Sequence, residues 1–466
     1  MIAKIEGFCD FDDDVCVASN MEGGKHLVLV ASPFQGHMTP MLQLGSVLYS
    51  KGFSITIAHT KLNSPDHANH PEFLFLPLSD NFLAIDASAN FTKFLELLND
   101  NCRMQLQDRL TQKIQQANHQ IVTIIHDNSM YFAEEVARNL NLPSIVLRSC
   151  SASYMPAFLA LPKLHADGLL PVQDSMLQKL VQELYPLRYK DLPFNNTCTE
   201  ISKEMLALSE RIRTPSAIIW NTMDFLENSA LTKLQQHYQI PIFAIGPLNE
   251  TARCQSTSFL KEDTNCITWL DKQAPRSVIY VSLGSLATMD ENELAETAWG
   301  LANSKQPFLW VVRPGSVKGS EWIEFLPYGF IEETRGRGLV LKWAPQKQVL
   351  AHTAVGGFWS HCGWNSTLES ISQGVPMICQ PFFGDQYVNS RYLSYVWRVG
   401  LELECLERRV IVTAIRRLLV DEEGEETRKQ ANNMKEKAKY CLCKGGSSFN
   451  SLNNLVEFIL ADCNWS

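Results

Sequence analysis

The stretch "FWSHCGWNSTLES", Phe358 to Ser370, sets a histidine beside a cysteine and follows them with tryptophan, asparagine, serine and glutamate. Three chemistries suit such residues: a metal site on His361 and Cys362, a thiol–imidazole nucleophile, or a polar turn that holds a ligand. Adjacent His and Cys seldom both reach one ion, and no second pair with ligand spacing lies nearby. Cys362 lacks a base placed opposite it, which weakens the nucleophile. A purely structural account stands beside the ligand turn, because Ser366 and Glu369 match the S-x-x-E capping box. Between Lys347 and Arg391 there is no lysine or arginine. A phosphate bound here would rest on a helix N-terminus and on neutral donors such as Asn365, Ser366 and His361.

A second set of candidates lies near the start. "QGHMTP" puts His37 directly after an apolar run, and a neutral imidazole suits proton abstraction because its pKa lies near working pH. "IVTIIHD" ends on Asp127, a carboxylate that can orient an imidazole and stabilise its cation, or that can cap the helix that follows.

These residues need a scaffold that brings strand ends together. "HLVLVASP" reads as a buried strand, a glycine-containing loop follows, then the helical spacing of "MLQLGSVLYSKG" and the strand "FSITIAH", which together make a βαβ unit. Strands at "IVTIIHD", "PSIVLR", "AIIWNT" and "IFAIGPL" continue the alternation to residue 248. Polar residues 249–265 read as a linker. A second series starts with "SVIYVSLG" and runs through "FLWVVRP", "GLVLKW", "VGGFWS", a helix from Ser366, "PMICQ" and a helix from Asp385. The expected fold is α/β: two doubly wound, Rossmann-like domains at 25–248 and 266–445, facing across a cleft. Residues 446–466 carry an amphipathic helix that should pack back on the body, and residues 1–24 form an acidic extension expected to be flexible.

Composition excludes several classes. A chain of 466 residues with 45% apolar and 20% charged residues has the balance of a globular protein of two domains. A net charge of −9 argues against a general affinity for nucleic acid or anionic membranes. Thirteen cysteines without a repeated CxxC spacing fit reduced thiols, and no apolar run is long enough to span a bilayer. The expectation is a cytoplasmic monomer. No G-x-G-x-x-G follows the first strand, which weakens a nicotinamide-dependent oxidoreductase as the alternative.

The 44 residues Trp343 to Gln386, "WAPQKQVLAHTAVGGFWSHCGWNSTLESISQGVPMICQPFFGDQ", closely resemble the signature box of plant secondary-product glycosyltransferases, and "SPFQGHMTPMLQL" and "VIYVSLGS" extend the resemblance over nearly all of the chain from about residue 25. The resemblance implies the GT-B arrangement of two Rossmann-like domains and a transfer of glucose from UDP-glucose to a hydroxyl, or a carboxyl, of a small hydrophobic plant metabolite with inversion to a β-glucoside, with no metal and no other cofactor. It implies Trp343 stacked on uracil, the Ala344 backbone on the base, Gln346 near the ribose and Glu369 on the ribose hydroxyls. His361, Asn365, Ser366 and Ser285 would hold the diphosphate, and Trp364, Asp385 and Gln386 the sugar. His37 would be the general base and Asp127 its orienting partner. A binder that keeps the fold without turnover is the other alternative, and retention of His37 and Asp127 argues against it. Asp10-Phe11-Asp12 has the DxD spacing of some metal-using sugar transferases, but nothing pins that acidic segment. For the acceptor, Phe34, Phe82, Met130, Tyr131, Phe382 and Phe383 are candidate walls, with Gly36 allowing close approach of the chain.

Overall fold

The computed structural model describes residues 25–79, 91–116, 121–193, 215–253 and 256–461. The acidic extension and Phe82 lie outside these residues. Among the described residues, thirteen strands form two wholly parallel sheets. The first contains β1 His26–Val30, β2 Ser54–Thr60, β3 Leu74–Leu78, β4 Ile121–Asp127, β5 Ser144–Arg148, β6 Ala217–Trp220 and β7 Ile242–Ala244, in the order β3-β2-β1-β4-β5-β6-β7. The second contains β8 Val278–Ser282, β9 Phe308–Val311, β10 Gly338–Leu341, β11 Val355–Ser360, β12 Met377–Cys379 and β13 Gly400–Glu402, ordered β10-β9-β8-β11-β12-β13. The expected class, two doubly wound α/β domains, is the fold observed.

Strands such as "HLVLV" and "VIYVS" are buried along their whole length. Helices cover both faces of a parallel sheet, so its central strands become continuous apolar runs rather than alternating ones. In each sheet the order reverses beside the first strand, between β1 and β4 and between β8 and β11. Such switch points open a crevice at the carboxyl ends of the strands.

Two helix starts differ from the sequence reading. The helix after β1 spans Gln35–Ser50, so Gly36 and His37 lie in its first turn rather than in a loop. Pro40 sits inside that helix and has no N–H to give to the carbonyl four residues back, which is Gly36. The helix after β11 spans Trp364–Gln373 and starts two residues before Ser366, with Gly363 as its N-cap.

The sheets are joined by more than the connecting chain. Trp364 Nε1 donates to Asn221 O at 2.7 Å, Trp397 Nε1 to Leu226 O at 3.2 Å, and Arg188 pairs with Glu402 at 2.7 Å. In the stretch between the sheets, Gln35 Nε2 donates to Thr257 O at 2.7 Å and Asp263 N to Trp343 O at 3.0 Å. The helix Ser447–Ala461 returns to the first sheet, burying Leu455 and Ile459 and setting Phe458 5.6 Å from Phe243.

Candidate active site

His37 and Asp127 come together at the first switch point. β1 delivers the histidine and the neighbouring β4 ends on the aspartate. His37 Nδ1 lies 3.0 Å from Asp127 Oδ1 and 2.9 Å from Oδ2, so Nδ1 carries the proton and donates to a carboxylate that can only accept. Asp127 is fully buried. Ser129 holds it with its N–H at 2.8 Å and its hydroxyl at 2.6 Å, both on Oδ1. This local turn, not a helix cap, accounts for Asp127, since the following helix Phe132–Asn139 has Tyr131 as N-cap and no side-chain cap. Burial disfavours the imidazolium and is the largest single influence, yet the charge and hydrogen bond of Asp127 together with the charge of Asp385 outweigh it and raise the His37 pKa above its ordinary value. Burial likewise pushes the Asp127 pKa up, while His37 and Ser129 together pull it below the usual carboxylate value.

Two contacts here have no counterpart in the sequence reading. Ser149 Oγ lies 3.0 Å from His37 Nδ1. Ser129, two residues after Asp127, carried the Asx-turn signal; Ser149, just past β5, carried none.

The donor-side residues gather around the second switch point. Gln346 Nε2 donates to Glu369 Oε2 at 2.6 Å and to Ser366 Oγ at 2.9 Å, while its Oε1 accepts from the Tyr280 hydroxyl at 3.1 Å. The capping-box account of Ser366 and Glu369 therefore fails: they are the third and sixth residues of a helix that Gly363 begins without a side-chain cap. Burial pushes the Glu369 pKa up to about 7, against the Gln346 hydrogen bond.

His361 is fitted between two glycines. A Cβ on Gly284 would lie 2.6 Å from its ring and one on Gly363 2.4 Å from Nε2. Burial lowers the His361 pKa to about 4, so the ring is neutral, and its Nδ1 is buried without a protein partner. Cys362 adopts φ 63° at the turn and points into the core. Asn365 Nδ2 donates to Gly36 O at 2.9 Å, using the carbonyl that Pro40 leaves open. This bond places the donor helix start one residue from His37. Ser285 follows β8 after Gly284, which has φ +77°.

Asp385 accepts from Asn389 Nδ2 at 2.9 Å, and burial pushes its pKa up to about 6. Gln386 Oε1 accepts from the Phe382 and Phe383 amides at 2.9 and 3.2 Å, which leaves its NH₂ end for other use. Trp343 is half-buried against the core beneath the second sheet and Ala344 is buried beside it. Trp364 is 3% exposed and its indole N–H is spent on Asn221, so its contribution to a ligand is the free backbone N–H of the first helical turn rather than the side chain.

The acceptor candidates divide. Phe34 packs 6.0 Å from the His37 ring and Tyr131 is half-buried at the start of its helix. Phe382 is half-buried and Phe383 is 43% exposed on the loop before Asp385. Met130 is a correction: it is fully buried in the core under β1 and β4, because the turn after Asp127 directs it inward. A Cβ on Gly36 would meet nothing within 4 Å, so close packing does not explain that glycine. Among the described residues no group of three or more His, Cys, Asp or Glu has the arrangement of a metal site. Nor is any described helix long and apolar enough to cross a membrane.

The family model described as UDP-glucoronosyl and UDP-glucosyl transferase matches residues 68–432. The chain is 52% identical over 422 residues to UDP-glycosyltransferase 76H1 of Stevia rebaudiana, covering 90% of this chain and 99% of that protein. It is 47% identical over 444 residues to flavonol 3-O-glucosyltransferase UGT76E12 of Arabidopsis thaliana, covering 93% and 97%. Among solved structures, a UDP-glucose: anthocyanidin 3-O-glucosyltransferase in complex with UDP superposes with a TM-score of 0.81 at 25% identity, covering 95% of this chain and all of that one. Phytolacca americana UGT2, complexed with UDP-2fluoro-glucose and pterostilbene, gives 0.78 at 28%, covering 93% and 99%. With its two parallel α/β sheets and these matches over nearly its whole length, this chain belongs to the UDP-glycosyltransferases of the plant type, enzymes that move a sugar from UDP to an acceptor.

Proposed function

We propose that the sugar is glucose, that the acceptor is a small, largely hydrophobic molecule bearing a hydroxyl, and that His37 is the general base oriented by Asp127. The observation that carries this reading is the His37–Asp127 contact of 2.9 to 3.0 Å, with the start of the donor helix bonded to the adjacent residue through Asn365. Nδ1 is committed to Asp127, so Nε2 is the nitrogen left to accept a proton. The acceptor oxygen attacks the anomeric carbon, its proton passes to Nε2, and the bond to the diphosphate breaks with its electron pair leaving on UDP. One in-line displacement of this kind inverts an α-linked donor to a β-glucoside.

In this reading Trp343 stacks on the uracil and Ala344 pairs with the base. Gln346 and Glu369 take the ribose. His361, Asn365, Ser366 and Ser285 receive the diphosphate, whose charge the helix N-terminus stabilises without a lysine, an arrangement that suits a leaving group that must depart. The orphaned Nδ1 of His361 fits that use. Backbone N–H of Trp364, the Asp385 carboxylate and the NH₂ of Gln386 address the sugar hydroxyls. The enzyme would act as a cytoplasmic monomer without a metal.

The test is an acceptor panel of phenols, terpenoid alcohols and hydroxy acids with UDP-glucose, with products read by mass and anomeric configuration by NMR. β-Glucoside formation that survives chelation of divalent ions supports the reading. An α-linked product, or turnover confined to another nucleotide sugar, overturns it.

A further inference from the structure

A carboxylate taken out of water must be met by hydrogen-bond donors, and it then fixes whatever carries them. Glu227 is 3% exposed, in the helix Asp224–Tyr238, which departs from helical geometry at this residue. Its amide donors come from another part of the chain. Ala152 N donates to Oε2 and Ser153 N to Oε1, both at 2.8 Å, and the Thr222 hydroxyl donates to Oε2 at 2.6 Å. Ser153 is the N-cap of the helix Tyr154–Ala166 and supplies no side-chain cap, so the first amides of that helix are satisfied by a carboxylate 74 residues further along the chain. With one amide on each oxygen, the segment so held cannot pivot about a single bond.

That segment is the one that reaches His37. Residues 149–153 join β5 to the helix, and the first of them, Ser149, sets its hydroxyl 3.0 Å from His37 Nδ1. Since Nδ1 gives its proton to Asp127, the Ser149 oxygen is a second acceptor on the same N–H and confines the ring from another side. A further tie on the segment is Trp220 Nε1, which donates to Cys150 O at 2.8 Å. The holding stretch, Asn221 to Glu227, is tied in turn to the other half of the molecule. Asn221 O takes the indole N–H of Trp364, the first residue of the helix after β11, and Leu226 O takes that of Trp397. Val388 and Tyr392 of the same half pack into the core that contains Met155 and Phe158.

We infer that Glu227 is a positioning residue for the transfer: its carboxylate fastens the Ser149–Ser153 segment to the Asn221–Glu227 stretch, and so sets the His37 ring in register with the helix that begins at Trp364. The inference rests on the reading of His37 as the general base. Glu227 acts through Ser149 and takes no part in the proton transfer itself. An in-line displacement needs base and leaving group aligned, and a misplacement of about 1 Å caused from a distance costs about 10²-fold in rate. Asp127 dictates which nitrogen of His37 carries the proton; Glu227 dictates where the ring stands relative to the donor side.

The test compares the wild type, Glu227→Gln, Ser149→Ala and the double variant, with the best acceptor of the panel above. It reads the single-turnover rate of transfer and, by calorimetry, the Kd of UDP-glucose. Glu227→Gln keeps the shape but turns one acceptor into a donor that faces an N–H, and should slow transfer about 10²-fold. The Kd should stay at the wild-type value. Ser149→Ala should slow transfer about tenfold, the cost of one hydrogen bond to a charged group. The double variant should be no slower than Glu227→Gln alone, because the serine has already lost its place. Losses that multiply would show that Glu227 does not act through Ser149, and an unchanged rate in a protein that only melts at a lower temperature would mark Glu227 as structural. Either result overturns the inference, as does a Kd that rises in step with the loss of rate. Should Glu227→Gln fail to fold, Thr222→Val takes its place: it removes one bond to the same carboxylate at constant shape, should slow transfer less, and should show the same failure to multiply with Ser149→Ala. His37→Ala separates the two readings. Near-normal turnover in that variant removes the base, whereas its loss of turnover combined with multiplying losses for Glu227 and Ser149 removes only the role of Glu227.

Discussion

The two walls of the cleft are built in opposite ways. The proposed donor wall comes mainly from one continuous stretch, Trp343 to Gln386, joined by Tyr280 and Ser285. It relies on groups that are neutral or easily neutralised: His361 with its pKa lowered to about 4, Glu369 raised to about 7, Asp385 raised to about 6, and amides and hydroxyls. The proposed acceptor wall is assembled from the ends of β1, β4 and β5, which are about 120 residues apart at the extremes, and it sets the buried carboxylate of Asp127 beside a histidine biased toward its cation. A wall that must release a diphosphate gains from holding no fixed cation at the helix start, and none lies between Lys347 and Arg391. A wall that must store a proton gains from a buried carboxylate next to its base.

The sharpest way to break this division is His37→Ala. If the acceptor wall alone carries the proton transfer, kcat should fall about 10²–10⁴-fold, the range for removal of a general base. Calorimetric affinity for UDP should stay at the wild-type value. Near-normal turnover would remove His37 from the chemistry, and a large loss of UDP affinity would show that the walls are not separable.

Asp127→Asn is expected next, with a fall in kcat of about 10²-fold or more, because the amide no longer dictates which imidazole nitrogen carries the proton. It also makes a pH prediction. His37 works as a base only when deprotonated, and Asp127 raises its pKa above 6.5, so wild-type kcat/KM should rise with pH through a limb above that value. In Asp127→Asn the limb should move to lower pH, since the stabilising charge is gone while burial remains. An unmoved limb would assign the titration to another group.

The difference between the walls also explains what the sequence reveals. The strand pattern "HLVLV", "IVTIIHD" and "VIYVS" makes both sheets legible, because buried parallel strands are short continuous apolar runs. The continuous wall is legible as a segment, and His37 with Asp127 as strand-end residues. What stays hidden depends on direction rather than composition. Phe34 and Gly363 begin their helices without a capping side chain, so Gly36 and His37 look like loop and Ser366 looks like the cap. Met130 looks like a wall residue until the turn after Asp127 is seen to send it into the core. Ser149 sits in plain text just after "PSIVLR", but only the pairing of β4 with β5 brings it beside His37.

On the donor wall, the fit of His361 between Gly284 and Gly363 gives a smaller, more local prediction. A Cβ at Gly284 would fall 2.6 Å from the ring, and φ there is +77°, so Gly284→Ala must both strain the backbone and displace the imidazole. The Kd for UDP-glucose should rise about tenfold, the cost of one misplaced hydrogen bond to a charged group. The pH limb of kcat should stay where it is. A shifted limb would mean that the donor wall also takes part in proton storage, against the division proposed above.

The smallest effect concerns Glu369 and needs its sign worked out. Burial raises its pKa to about 7, so it is mostly protonated at pH 6 and mostly ionised at pH 8. If it accepts hydrogen bonds from the ribose as a carboxylate, UDP-glucose should bind about tenfold more weakly at pH 6 than well above its pKa, following the ionised fraction. UDP-glucose is the right probe because its diphosphate does not titrate there, whereas free UDP does. Glu369→Gln should flatten this dependence at the weaker level. Stability has the opposite sign: a carboxyl that holds its proton more tightly when folded loses stability as pH rises from its unfolded value near 4.5 toward 7. The variant's unfolding temperature should therefore fall less than the wild type's across that interval. If binding is flat in both proteins while the stability difference appears, Glu369 serves the fold through Gln346 alone, and the ribose contact must be sought in Gln346 itself.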